Sequence, residues 1–436
     1  MQLRLPYISS FSHSSKAFLK DSTFLFAANI VNAVFNYGLV IFVSNQLLPG
    51  NYSLWTALSG LIAILLTFST GIMTEFNKSA SKIAKKSTFE AFEFYEYFVS
   101  KVGRVLLYSL VLVPVFAVLL GKAVGNSDFI LLSLLVINVY LQVILGLNNN
   151  FVMALLKIPQ FIILSIVVTV VKFVGAISFV YLHFEVMSLP LGLLMSEIIG
   201  IVVGVYFLKR FKSQAIKPKN YIVTNYKIFD HAFGMLKTVV FLFFLSLFIN
   251  AGPIIAENFL DKADKDILAV LFNFGQIIHF GAVAFLGGLI AHASRTDNKK
   301  IFYSAFVIVT SLSLSIGFLF TFFGGFMMKL FGRAQYTDQL PLILWYSVFI
   351  LFYNIIFLCT QYLIIKNRYK ALIFLPVSNI LLILTLIFFS KSTSLFGSDV
   401  QNFIGISIIF GFTSALYLLL SIVFDKKNRQ EVDNVL

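Results

Sequence analysis

The sequence predicts an all-α polytopic membrane protein of twelve transmembrane helices, in two six-helix lobes related by a pseudo-twofold axis along the membrane normal. Three observations carry this expectation. Hydrophobic residues make up 59% of the 436 residues and charged ones 12%, a balance that a water-soluble domain of this size does not tolerate on its surface. Apolar stretches recur at the ~20-residue length that a helix needs to cross hydrocarbon. Basic residues gather in alternate connections and not along one amphipathic face.

The apolar windows lie near 23–43, 53–73, 102–120, 129–147, 161–182, 188–208, 238–256, 267–290, 301–324, 340–361, 371–390 and 403–424. They are long and continuous, without the ten-residue alternation of a membrane barrel, so helices are expected. Between the sixth and seventh runs the basic connector 209–237, carrying seven Lys or Arg against the single acid Asp230. It divides the chain into an N-terminal lobe, 1–208, and a C-terminal lobe, 238–424, with a tail over 425–436. Six spans per half start each half from the same side, so any internal repeat is parallel. Asn51-Tyr-Ser-Leu-Trp-Thr-Ala-Leu and Asp266-Ile-Leu-Ala-Val-Leu-Phe-Asn, each after a short turn, echo one another weakly.

Placing the N-terminus inside puts 26 of the 33 Lys and Arg on the inner side and 6 outside, with Lys172 left within a span. That asymmetry predicts cytoplasmic N- and C-termini, and the length of the first apolar run, with no small-residue cleavage site after it, predicts its retention as a span. Both tryptophans, Trp55 and Trp345, then fall near outer span ends, where amphipathic rings are expected. The net charge of +14 reads as this loop bias, not as a nucleic-acid footprint. The single Cys359 and the scattered histidines offer neither a disulfide nor a metal grouping, and no cofactor is expected beyond coupling to a proton or sodium gradient. Residues 75–101 mix Lys82, Lys85 and Lys86 with Phe89, Phe92 and Phe98; they suit either a helix in the headgroup layer beside membrane lipids or a solvated connector.

At the first two spans the order of features resembles the polysaccharide-exporting flippases of the multidrug/oligosaccharidyl-lipid/polysaccharide superfamily. The resemblance is carried by Phe18-Leu-Lys-Asp-Ser, by Leu47-Leu-Pro-Gly-Asn-Tyr-Ser, by Thr70-Gly-Ile-Met-Thr-Glu-Phe-Asn-Lys-Ser-Ala and by Asn250-Ala-Gly-Pro-Ile-Ile-Ala-Glu-Asn-Phe-Leu. The first turn departs from the family in lacking Gly after Tyr52, and Gly252 stands where many relatives have an acid. The resemblance implies a MATE-like fold and, as substrate, an undecaprenyl-pyrophosphate-linked oligosaccharide destined for O-antigen, lipopolysaccharide, capsule or exopolysaccharide. It also implies a polysaccharide polymerase and a chain-length regulator as partners.

An ionisable group at mid-bilayer costs ~2.5 to 3.5 kcal/mol on the insertion scale and so asks for a reason. Lys172 is central in the fifth span with Ser165, Thr169 and Ala176 on its face. It suits either an anionic headgroup in a wet cavity or a closed ion pair with Glu197, at similar depth in the sixth. Asn29, Asn32 and Asn36 lie on one face of the first span and suit a hydrophilic lining, with interhelical hydrogen bonding as the other use. Asn138 and Gln142 in the fourth span, Asn250 in the seventh, and Asn273, Gln276 and His279 in the eighth are further cavity candidates. Gly252-Pro253 predicts a break or kink. The chain shows no catalytic triad, phosphate loop or paired carboxylates, so it does not read as an enzyme. A cation-coupled multidrug exporter needs an intramembrane carboxylate in the first lobe; the first span has none, and Glu197 is the only acid well inside the first six spans. A polymerase or glycosyltransferase asks for a large outer loop, and the outer loops here are short.

Overall fold

The computed structural model describes residues 13–216, 229–283, 299–366, 368–389, 396 and 398–424. The chain is all-α. Fourteen α-helices are described: α1 (His13–Gln46), α2 (Asn51–Lys86), α3 (Thr88–Ser109), α4 (Val113–Val124), α5 (Phe129–Ala154), α6 (Ile158–Tyr181) and α7 (Ser188–Lys212). They continue as α8 (Phe229–Phe259), α9 (Lys262–Val283), α10 (Lys299–Leu330), α11 (Pro341–Ile365), α12 (Tyr369–Leu372), α13 (Phe374–Phe389) and α14 (Asp399–Val423). Much of the connector (217–228), the stretch 284–298 and the tail 425–436 lie outside the described residues.

Eleven segments among the described residues are long and apolar enough to cross a membrane. They match eleven of the twelve expected windows; the other, 267–290, runs from α9 into residues that are not described. Local chemistry sets the boundaries. Asp128 caps α5 by accepting from the Ile130 and Leu131 amides, Ser87 caps α3, and Ser398 and Gln401 form a reciprocal capping box on α14, each satisfying donors that a helix start leaves open. Proline sits in the first turn of α4, α6 and α11, where its missing N–H costs nothing. Of the break or kink expected at Gly252-Pro253, the break does not occur: α8 runs as one helix through both residues.

The helices pack as two sets. In one, α1 lies on α6, α6 on α7, α7 on α5, and α5 on α2 and α4; in the other, α9, α10 and α11 pack together, α11 packs on α14, and α13 on α8 and α14. The sets meet chiefly along α2 and α8. Gly60 and Gly71 make this close: a Cβ on Gly60 would stand 2.9 Å from the Asn250 carbonyl oxygen, and one on Gly71 2.3 Å from Val239. The two glycines lie eleven residues apart, as do Val239 and Asn250, so both pairs recur after about three turns of antiparallel helices. Phe318, Phe322 and Phe326 line an exposed stripe of α10, the face that belongs in hydrocarbon.

The segment 75–101 differs from its headgroup-layer expectation. The helix α2 continues well past the apolar window, to Lys86, and α3 folds back on it. Phe92 and Phe98 are buried, not lipid-facing, in a second core with Phe76 and Phe151. The Tyr95 ring stacks on Phe151 at 4.5 Å, and Phe92 meets it edge-on at 5.0 Å. The lysines Lys82, Lys85 and Lys86 stay exposed. Aromatic burial thus outcompetes interfacial placement, since ring-on-ring contact adds ~0.5 to 1.5 kcal/mol per pair beyond area. Replacing Phe151 with alanine is expected to destabilise the fold toward the lower end of the ~3 to 5 kcal/mol range for a buried Phe, because lipid already shields the unfolded reference. The check is the melting temperature of the purified protein; an unchanged value contradicts this core. Trp55 also departs from expectation, being 3% exposed and packed in the main core, whereas Trp345 is exposed.

Candidate substrate-facing site

The first candidate group lies along α6, which packs against both α1 and α7. Asn29 is exposed. One turn on, Asn32 donates to the Ser165 hydroxyl at 2.7 Å, and one turn further the Lys172 ammonium donates to the Asn36 side-chain oxygen. The Asn stripe therefore exists on one face as expected, but two of its members tie α1 to α6. Thr169, between Ser165 and Lys172, turns its hydroxyl to the Ser165 carbonyl.

Lys172 and Glu197 make no direct ion pair, although Glu197 is the acid whose charge acts on Lys172. Lys172 is partly exposed and held by a neutral amide. Glu197, by contrast, is 3% exposed with one carboxylate oxygen lacking any partner. Close α6–α7 packing fixes this arrangement: a Cβ on Gly192 would stand 2.8 Å from the Ala176 methyl, so the two helices touch backbone to backbone beside both charged groups.

The other candidates fall elsewhere. Asn138 is buried and donates to the Pro190 carbonyl at 2.9 Å, tying α5 to α7; Gln142, one turn on, is partly buried. Asn273 donates to the Tyr52 hydroxyl at 2.8 Å, and Gln276 reaches the Asn250 side chain at 3.4 Å. Asn250 in turn donates to the Ser246 carbonyl at 2.9 Å. This seam joins α2, α8 and α9 across the two helix sets. His279 lies within the second set, 2.5 Å from the Asn354 side-chain oxygen, while Asn354 donates to Ser313. The eleven candidates thus divide into a cation-bearing group, the α5 pair Asn138 and Gln142 with Asn138 tied to α7, a cross-set seam and a buried His–Asn–Ser chain.

A further polar cluster escaped the sequence reading. It lies at the end of the bundle marked by the 47–50 turn. Arg333, 4% exposed, faces the buried Asp266 with its Nε 2.9 Å from the carboxylate. The same guanidinium donates to the Leu47 carbonyl at 3.2 Å and lies 5.0 Å from the centre of the Tyr52 ring. Beside it Asn45 donates to the Leu330 carbonyl at 2.8 Å. Gly332 (φ 65°) lets the chain turn there, and a Cβ on it would fall 2.5 Å from the Asn45 side-chain oxygen. One arginine therefore binds backbone and ring of the first helix set while paired to an acid of the second. The only hint in sequence was Asp266 at the head of the weak repeat.

These features define a class, a multi-pass helical membrane protein with polar groups held between two packed helix sets. The fold is that of MATE transporters and of the lipid II flippase MurJ. No family's sequence profile matches the chain, and no curated protein does. Among solved structures, an inward-facing multidrug resistance MATE family transporter of the MOP superfamily is 14% identical, with TM-score 0.66, covering 92% of this chain and 98% of that one. An outward-facing MATE structure is 13% identical with TM-score 0.61, covering 92% and 94%. The inward closed lipid II flippase is 17% identical with TM-score 0.63, covering 93% of this chain and 87% of that chain.

Proposed function

We propose that this protein is a flippase that moves an undecaprenyl-pyrophosphate-linked oligosaccharide repeat unit from the cytoplasmic to the outer leaflet of a bacterial inner membrane, by alternating access, for O-antigen, capsule or exopolysaccharide synthesis. Its lobes are residues 1–208 and 238–424, joined by the connector 209–237, with both termini cytoplasmic. The observation that carries the reading is Lys172: a cation inside a span, held only by the neutral Asn36. A lone intramembrane cation is costly unless it faces water or an anion. The exposed Asn29 on the same stripe adds an amide for sugar hydroxyls, and amides can donate and accept together. The lipid tail stays in the bilayer while sugar and pyrophosphate cross between the lobes, which rock about the seam formed by α2, α8 and α9.

Deletion of the gene, followed by analysis of lipid-linked intermediates, tests the reading. Complete, unpolymerised units on the cytoplasmic face are the expected result. Incomplete units indicate a glycosyltransferase, outer-face units a polymerase, and unchanged intermediates with lost drug resistance a cation-coupled multidrug exporter. The exporter is the second reading, favoured by the buried carboxylate of Glu197 in the first lobe.

A further inference from the structure

Glu197 is the buried group for which the proposed path has no use. It is 3% exposed, and one of its carboxylate oxygens meets no donor. Leaving an ionised carboxylate in that state costs several kcal/mol, whereas a protonated one carries no such charge penalty. The elements around it offer little charge. On α6 there is Lys172; α5 has one ionisable side chain, Tyr140, whose hydroxyl donates to the Ser109 carbonyl at 3.1 Å, and otherwise the amides Asn138, Gln142, Asn148, Asn149 and Asn150; Asn36 of α1 already accepts from Lys172. Glu185, in the turn before α7, is engaged with Asn51 at 2.7 Å, and Lys209, Arg210 and Lys212 lie at the far end of α7. No group of three His, Cys, Asp or Glu that could hold a metal ion occurs among the described residues. The exchangeable ligand that fits this lone acid is a proton.

We propose that Glu197 is a proton-binding site whose occupancy sets how strongly Lys172 holds an anionic headgroup. With the proton on, Glu197 is neutral and the Lys172 ammonium stays on Asn36, free to meet a phosphate. With the proton off, the bare carboxylate draws Lys172 across the α6–α7 contact, and the resulting pair competes with the headgroup for the same cation. Proton and anion binding are then positively linked, and each raises the affinity for the other by the same factor.

The proposal rests on the flippase reading for the identity of the anion, and the test separates the two. Binding of a short-chain isoprenyl pyrophosphate to the full-length protein in lipid nanodiscs is measured calorimetrically from pH 5.5 to 8.5, for wild type, Glu197→Gln, Lys172→Gln and the double variant. Ionisation of the headgroup is common to all four, so ratios between variants isolate the protein's contribution. At pH 8.5 Glu197→Gln is expected to bind at least about fivefold tighter than wild type, the low end of ordinary site-to-site coupling. The two converge at pH 5.5, and Lys172→Gln binds weakly throughout with or without the second change. A wild-type pH slope retained in Glu197→Gln overturns the role of Glu197 and leaves the anion site standing. Unchanged affinity in Lys172→Gln overturns the anion site itself. A Glu197→Gln protein too unstable to purify is replaced by Glu197→Ala or Glu197→Leu, held to the same expectation.

Discussion

Replacing Lys172 with glutamine or methionine is expected to reduce transport by tens to thousands of fold while leaving the amount of protein in the membrane near wild type. The size follows from what is removed. Truncating one partner of a buried, hydrogen-bonded charge pair costs ~2 to 5 kcal/mol, and each ~1.4 kcal/mol is a factor of ten. The protein itself loses little, because Lys172 gives only one hydrogen bond, to a neutral amide, and makes no direct ion pair with Glu197. Arginine at 172 keeps the charge and the phosphate-binding capacity, so partial activity is expected from it, and none from glutamine. The measurement is flipping of a labelled lipid-linked oligosaccharide in proteoliposomes, normalised to reconstituted protein. Full activity at equal abundance in Lys172→Gln removes the cation from the mechanism. Lost protein with normal activity per molecule makes it a structural group.

Asn32 supplies the internal comparison. Its NH2 is given to Ser165 while its carbonyl oxygen meets no donor, so alanine there breaks one tie between α1 and α6. Membrane side-chain hydrogen bonds average about 0.6 kcal/mol. The expected effect on thermal stability is therefore small, and the effect on flipping smaller than that of Lys172→Gln.

What the sequence made legible was whatever the bilayer imposes. Span lengths follow from hydrocarbon thickness, so eleven windows found their helices, and the position of Lys172 within a span was evident from the apolar run around it. Helical periodicity placed Asn29, Asn32 and Asn36 on one face, but periodicity is silent about what faces them; only the fold brings Ser165 to Asn32 and Lys172 to Asn36. Depth along two helices made Lys172 and Glu197 look like a pair, yet rotation about each helix decides contact, and here it places the ammonium on Asn36 instead. Helix ends beyond the membrane were illegible for another reason. Past Met73 the apolar signal of α2 fades, and its extension to Lys86 is held by Phe76, Phe92 and Phe151, residues 16 to 75 positions apart. Arg333 was illegible altogether, since a basic residue in a short loop is ordinary until its partners at Leu47 and Asp266 are known.

Arg333 supplies the second large effect. On the proposed alternating-access cycle, the contacts that close one end between the two helix sets break once per cycle, and at the end near the 47–50 turn they converge on this guanidinium. It pairs with Asp266 and grips the Leu47 carbonyl and the Tyr52 ring, while Asn45 ties to Leu330 alongside. Arg333→Ala leaves a fully buried carboxylate without its cation, a change of ~3 to 5 kcal/mol when one member of a buried pair is removed. Opening this end hydrates Asp266, so most of that penalty falls on the closed state alone and shifts the equilibrium toward the open one. Even half of it changes the ratio more than tenfold. Thr56, fully buried one turn below Tyr52, reports the shift: with the termini cytoplasmic, as proposed, this end faces outward, and Thr56→Cys should react with an impermeant maleimide in intact cells at least about tenfold faster in the Arg333→Ala background. Cys359 is buried within α11 and contributes little label. Flipping should fall as well, because a protein resting open on one side presents its site poorly to the other. Replacing both partners, Arg333→Met with Asp266→Leu, removes the uncompensated charge and is expected to restore closure, since apolar pairs substitute for buried ion pairs at little cost. A labelling rate indifferent to Arg333, or a double variant as open as the single one, rules the latch out.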